Sequence, residues 1–383
     1  MRCRNNYSAT RFLEGVNNLN KRLVFVLVIT LLTLSLLGAC GQTTTTTPAT
    51  SITSAQPETI KLGFASIWPL THYTMAQQFP RYFKMVQDAT NGKYILDIQY
   101  YPVGTLLAEK DIYDGVVNGV VDCGQSSFGY TPGRFPVMLT LNQPGIAPPD
   151  NSDAAAQTIW DFYNHYKPAE LADTHVLYLF ATGPGYMHSN EPILAVADMK
   201  GLKIRVTGGG VRGVQAVGGD PIAIPMGETY EAAQKGLIDA LVSPPETLEG
   251  WKHAELFKYS TSVPYFYSEF FWVTMNQNKW DSLPKGLQDA FTSVAQKAVT
   301  DAGAIWQYQQ KHGMDYASSL PGGHEYLKLP DTEVAKLLEV LKPIRADYIG
   351  VLNAAGFAGE EIATTARTTV EGNNKKTYQP FQP

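Results

Sequence analysis

From Thr59 onward, short apolar or alternating runs recur between longer stretches with helical spacing. Thr59–Phe64 and Tyr94–Tyr100 read as strands, the second placing Ile95, Asp97 and Gln99 on one side. His175–Ala181, Leu202–Thr207 and Pro221–Ile224 read likewise, and Gly119–Cys123 reads as a short buried strand. Tyr73–Thr90 carries Met75, Phe79, Phe83 and Val86 at helical spacing and stops at Asn91-Gly92. Lys110–Asn118, Glu228–Gly236 and the long Leu287–Lys311 are also helical. Lys328-Leu329 leads into Thr332–Leu341, whose Val334, Leu337, Leu338 and Leu341 mark one apolar face. Strands alternating with helices predict an α/β chain with largely parallel sheets.

Ahead of this body, Lys21 and Arg22 precede the mostly apolar run Leu23–Leu37, then Gly38, Ala39 and Cys40. The run is shorter than the roughly 20 residues of a membrane-spanning helix. A basic start, an apolar run and small residues before a break predict a secretory signal. Leu37-Gly38-Ala39-Cys40 resembles the bacterial lipobox, which implies a signal peptide over 1–39 and a lipidated Cys40. An uncleaved N-terminal anchor is the other reading. Residues 40–57, rich in Thr with Ser, Ala and Pro48, predict a flexible tether.

The length of 383 residues suits about two domains. With 44% hydrophobic and 17% charged residues, the chain is neither disordered nor collagen-like. Its formal charge is -5, but residues 1–40 hold five basic side chains and one acid. Removing them leaves 25 basic against 34 acidic residues, or -9. Such a surface repels a phosphate backbone, so no nucleic-acid partner is expected. Cys3 leaves with the signal and Cys40 carries lipid, so Cys123 remains as a small buried apolar residue. The seven histidines show no metal-ligand spacing, and no G-x-S-x-G elbow occurs; Gly124–Gly129 is spaced wrongly. Gly208–Gly213 fits G-x-G-x-x-G, yet Lys203 and Arg205 occupy the strand before it. Only Val211–Val217 follows before Gly218-Gly219, too short for a crossover helix, so the run reads as a flexible turn. No catalytic constellation, metal or cofactor is predicted.

The informative stretch is Asp198–Val206, where Leu202, Ile204 and Val206 share one strand face and Lys203 and Arg205 the other. A guanidinium there can grip a carboxylate with two parallel hydrogen bonds. Further landmarks stand in order around it. They are Tyr101–Leu106, Val117–Asp122, Gly218–Ile222, Glu228–Asp239, Glu255–Tyr259, Met275-Asn276 and Leu283-Pro284. Together they resemble the DctP-type extracytoplasmic solute receptors of TRAP transporters, over about 58–302.

The resemblance implies a two-lobed α/β fold of the type II periplasmic-binding-protein kind, with a ligand cleft and a long connecting helix. Lobe I would hold 58–182 and about 269–308; lobe II would hold about 183–268 and 309–375. It implies capture of a small organic carboxylate for the membrane permease subunits, with Arg205 as the clamp. An ABC-type receptor and a secreted nucleotide-using enzyme are the rival readings. Two departures bear on the ligand. Some members, notably sialic-acid receptors, carry a second arginine about where Gly185 stands, which points this chain to a monocarboxylate. Where members often hold acidic, metal-binding or asparagine side chains, this chain reads Ala240–Pro245, which disfavours a metal-bridged ligand and brings in Ser243. Trp68, His72, Tyr130, Tyr186 and Trp251 are expected in loops facing the cleft. Phe271, from the aromatic run Tyr265–Trp272, is expected in its apolar wall.

Overall fold

The computed structural model describes residues 56–146 and 149–381. The expected signal peptide, Cys40 and most of the tether lie outside those residues. The body begins with β1 (Glu58–Ser66), α1 (Phe79–Ala89), β2 (Tyr94–Tyr101), α2 (Ile112–Val117) and β3 (Cys123–Ser127). Next come α3 (Ser152–Tyr166), β4 (Thr174–Ala181), β5 (Tyr186–Ser189), β6 (Lys203–Val206) and α4 (Val211–Ala216). Then follow β7 (Asp220–Ala223), α5 (Met226–Gln234), β8 (Ala240–Ser243), α6 (Thr247–Gly250) and β9 (Tyr259–Ser262). β10 (Phe270–Asn276), α7 (Gln277–Ser282), α8 (Lys285–Ser319), β11 (Glu325–Lys328), α9 (Asp331–Ala354) and α10 (Gly359–Asn374) complete it.

The strands form two sheets, ordered β2-β1-β3-β10-β4 and β11-β9-β5-β8-β6-β7. Each is the floor of one lobe. Both are mixed rather than largely parallel, because β10 opposes β3 and β4 while β5 opposes β8 and β9. These two strands follow the crossings β4→β5 and β9→β10. Each therefore enters its sheet from the other lobe rather than through a crossover within the sheet, and runs against its neighbours. The expected strand at Gly119–Cys123 instead begins at Cys123 and runs to Ser127.

The first core gathers Phe64, Phe79, Phe83 and Val86 against Phe180, Phe271 and Trp306. The second places Ile204, Val206, Met187 and Val242 of the sheet under Val214, Leu337 and Leu341. Thus the apolar face of β6 faces helices α4 and α9, and Arg205 emerges on the other face. The 35-residue helix α8 packs on α3 and β4 of the first lobe and reaches α6 of the second. Residues 309–375, expected with the second lobe, divide between the two. Leu337, Leu341 and Ile344 of α9 enter the second core, whereas Tyr348, Leu352 and, in α10, Ile362, Ala366 and Val370 enter the first.

Candidate functional site

The two crossing segments lie side by side. Thr182 N–H donates to the Glu269 carbonyl at 2.9 Å, and Gly185 N–H to that of Tyr267 at 3.3 Å. A Cβ at position 185 would stand 2.5 Å from Tyr267 Cδ1, so only glycine permits this approach. The place where a second arginine would project is filled by a tyrosine ring.

Beside these segments lies a small, partly enclosed cavity of about 20 Å³, room for about one water while the lobes are together. Trp68, Trp251, Trp306, Phe271 and Tyr267 give it aromatic walls, and Tyr130 and Met226 narrow it. Trp68 and Phe271 also anchor the first core, with ring centroids 5.0 Å apart. The polar lining is Thr182, Thr207, Glu246 and Glu269, with no basic side chain among the described residues that line it.

Arg205 supplies the nearby positive charge. It shares a strand face with the cavity residue Thr207, two positions on. The side chain is 0% exposed, and its Nε–H donates to the Ile224 carbonyl at 3.0 Å. Neither Nη1 nor Nη2 has a hydrogen-bond partner among the described residues. A buried cation in that state costs several kcal/mol unless an anion joins it. The charge reaches the cavity wall. Burial pushes the Tyr130 hydroxyl up to about 12 and the Tyr267 hydroxyl well above its usual range, and Arg205 partly offsets both.

Glu269 is buried at the start of the second crossing strand. It accepts from Ser127 Oγ, from Asn142 Nδ2 at 3.2 Å and from Thr207 Oγ1 at 2.6 Å. Burial raises its pKa, while Ser127, Thr207 and Arg205 oppose the rise.

Contacts across the cleft tie the lobes together. Met226 N–H donates to Tyr130 Oη at 3.0 Å, and Glu109 accepts from the Gly227 backbone. His72 Nε2 lies 2.9 Å from Glu246 Oε2, with both side chains buried. His72 Nδ1 accepts from Thr74 N–H at 3.2 Å, which leaves the proton on Nε2 to bridge to Glu246. Removing one partner of a buried hydrogen bond costs about 1–3 kcal/mol, or about five- to a hundredfold in an equilibrium. His72→Phe, which retains a ring beside Trp68, is therefore expected to speed ligand dissociation by that range with the unliganded melting temperature little changed. Stopped-flow release of a bound carboxylate measures it; an unaltered rate would show that the contact does not hold the cleft shut.

Of the residues singled out from sequence, Trp68, Tyr130, Trp251 and Phe271 line the cavity. Three others do not. His72 is spent on the lobe-to-lobe contact. Ser243 Oγ pairs with Thr247 Oγ1 at 2.7 Å, and the Ser243 carbonyl lies 3.2 Å from His188 Nε2. Tyr186 sits within β5, paired with Ser243 and Ser262, rather than in a loop. Glu269, Thr207, Glu246 and Trp306 are lining residues that the sequence reading missed, and Tyr267 joins Phe271 from the aromatic run it singled out.

Two lobes, crossing segments at their junction and a cavity beside an unpartnered guanidinium define a solute-binding receptor. Residues 64–350 match the family described as bacterial extracellular solute-binding protein, family 7, and the chain belongs to that family of TRAP receptors. It is a binding protein rather than an enzyme. Among its relatives is the 2,3-diketo-L-gulonate-binding periplasmic protein YiaO of Escherichia coli K12. That protein is 26% identical over 255 residues, which are 65% of this chain and 75% of the relative. The C4-dicarboxylate-binding protein DctP of Rhodobacter capsulatus is 26% identical over 180 residues, 46% of this chain and 54% of that one. A marine metagenome TRAP protein specific for aromatic acids, solved with 3-hydroxybenzoate, superposes with a TM-score of 0.77 at 26% identity. The superposition covers 83% of this chain and 100% of the other.

Proposed function

We propose that this receptor captures a small organic monocarboxylate with an apolar body and delivers it to the membrane subunits of a TRAP transporter. The observation that carries the reading is Arg205, fully buried beside the cavity with both terminal nitrogens free of protein partners. Its fork suits one carboxylate, and the aromatic walls suit an apolar body. A second carboxylate would meet no basic side chain in the lining, only Glu246 and Glu269. Relatives bind both kinds of acid: 3-hydroxybenzoate carries one carboxylate and C4-dicarboxylates carry two. The charge of this cavity favours the first kind.

A thermal-shift and calorimetry screen of matched mono- and dicarboxylates tests the reading. Aromatic and short aliphatic monocarboxylates are expected to stabilise the protein, and the best of them to reduce its radius of gyration in small-angle scattering as the lobes close. Tight binding of succinate or malate, with monocarboxylates ignored, would contradict the proposal.

The second part of the proposal is the anchor. Among the described residues no helix is long and apolar enough to cross a membrane. Lipid on Cys40 would hold the receptor at the outer face of the cytoplasmic membrane, or in the periplasm, with 40–57 as its tether. Cys40→Ala is then expected to move the protein from the membrane fraction to the soluble one. Retention after a high-salt wash would refute lipidation.

A further inference from the structure

The lining and its surroundings hold more negative than positive groups. Glu246 and Glu269 face the cavity, Glu109 stands close enough to feel Arg205, and against them stands the single guanidinium. Arg205 makes no ion pair with any of the three, and its Nε–H is spent on a backbone carbonyl. A plain anion seated on Arg205 would therefore add negative charge to a water-poor compartment that already contains two carboxylates.

Glu269 also retains capacity to accept. Among the described residues its Oε1 takes the Ser127 and Asn142 donors and Oε2 takes Thr207 Oγ1, with the Gly129 backbone also donating to the carboxylate. A carboxylate offers about four acceptor sites, about two on each oxygen, so Oε2 has room for a donor from the cavity. Burial opposes ionisation of Glu269, while the Ser127 and Thr207 hydroxyls, the latter at 2.6 Å, and the nearby Arg205 charge favour its carboxylate. Three indoles, Trp68, Trp251 and Trp306, surround the same space, and indole is the aromatic ring that best attracts a cation. Thr207, which donates to Glu269, lies just past the end of β6 and two residues beyond Arg205, roughly 7 Å along extended chain, so the two charged groups flank one region of the cleft.

We infer that the solute is a short zwitterion, its carboxylate on Arg205 and an ammonium or amidinium nitrogen donating to Glu269 Oε2 among the indoles. This rests on the reading of Arg205 as the carboxylate anchor and adds the cationic pole. Such a ligand meets the unpartnered guanidinium and an acid of the wall at once, which neither a bare acid nor a dicarboxylate does.

Two matched series test it by calorimetry at pH 7: phenylacetate, mandelate and phenylglycine, and propionate, lactate and alanine. Within a series the substituent beside the carboxylate changes from hydrogen to hydroxyl to ammonium at nearly constant shape. The amino member of the better-fitting series is expected to bind at least tenfold more tightly than its hydroxyl partner. Glu269→Gln is expected to weaken the amino member at least tenfold and to abolish its advantage over the hydroxyl member. A hydroxyl or unsubstituted acid that equals its amino partner in the wild type overturns the inference and leaves the carboxylate reading standing. Wild-type affinity for the amino member in Arg205→Ala, or no binding by any of the six, overturns the carboxylate reading itself. The wild-type series decides the matter even if the glutamine variant fails to fold.

Discussion

Arg205→Ala is expected to weaken binding of the best monocarboxylate by about thirtyfold to several thousandfold, while the unliganded protein melts at the same or a higher temperature. The affinity term follows from leaving a buried carboxylate without its cation, which typically costs about 2–5 kcal/mol. The stability term has the opposite sign. Arg205 is fully buried, and its two terminal nitrogens have no partner among the described residues, so removing it relieves a desolvation penalty in the unliganded fold. An arginine that served only packing would lose stability on truncation and leave affinity alone. Arg205→Lys should restore only part of the binding, because an ammonium cannot reproduce the planar fork and a methylene replaces the Nε–H that donates to Ile224. Calorimetry and thermal melts on both variants separate the cases. Unchanged affinity in the alanine variant would remove Arg205 from the site.

Arg205 was legible in the sequence because strand alternation alone puts Lys203 and Arg205 opposite the apolar set Leu202, Ile204 and Val206. Its own surroundings then follow from tertiary structure, which buries it completely and leaves Lys203 exposed. The strands β1, β2, β4, β6 and β7 were legible for the same reason. β3 was not. Its residues, Cys-Gly-Gln-Ser-Ser, are all buried, yet they carry no β-branched or aromatic side chain to announce a strand. They are strand because β1 and β10 pair with them on either side, a fact of topology rather than of propensity. The mixed sheets were hidden likewise, since the direction of β5 and β10 depends on which lobe the chain enters from.

Glu269 left a signal that could have been used: one acid inside the aromatic run from Tyr265 to Trp272. An ionisable group among so many rings is either exposed or functional, and this one is 2% exposed. Trp306 left none, since an aromatic residue on the buried stripe of a 35-residue helix looks like any other core position. The glycine run at 208–213 was misread for a related reason. Glycine reports that something needs space, and only the fold tells whether that thing is a phosphate, a mobile turn or a neighbouring backbone.

Here it is a neighbouring backbone, and Gly208→Ala is therefore expected to weaken ligand binding by about ten- to a hundredfold without unfolding the protein. A Cβ at position 208 would stand 2.7 Å from the carbonyl oxygen of Gly129, and one at 209 would stand 2.8 Å from Asn142 Cβ. Both neighbours belong to the first lobe and neither is the free end of a flexible side chain, so neither can swing aside. Gly208 opens a short 3₁₀ turn, a conformation that alanine adopts freely. The obstruction therefore exists only while the lobes are together. Away from that contact, exchanging glycine for alanine restricts the unfolded chain and stabilises by about 0.4–1 kcal/mol. Apparent affinity scales with the fraction of molecules able to close, so a hundredfold loss of that fraction is a hundredfold loss of binding. Gly210→Ala is the internal control. Its Cβ would strike Val206 Cγ2 within the same lobe, so its cost should appear as a lower melting temperature. Gly208→Ala should keep the melting temperature, release ligand faster and give a larger radius of gyration at saturation than the wild type. Affinity within threefold of the wild type would mean that the lobes close along a path that never brings Gly208 onto Gly129.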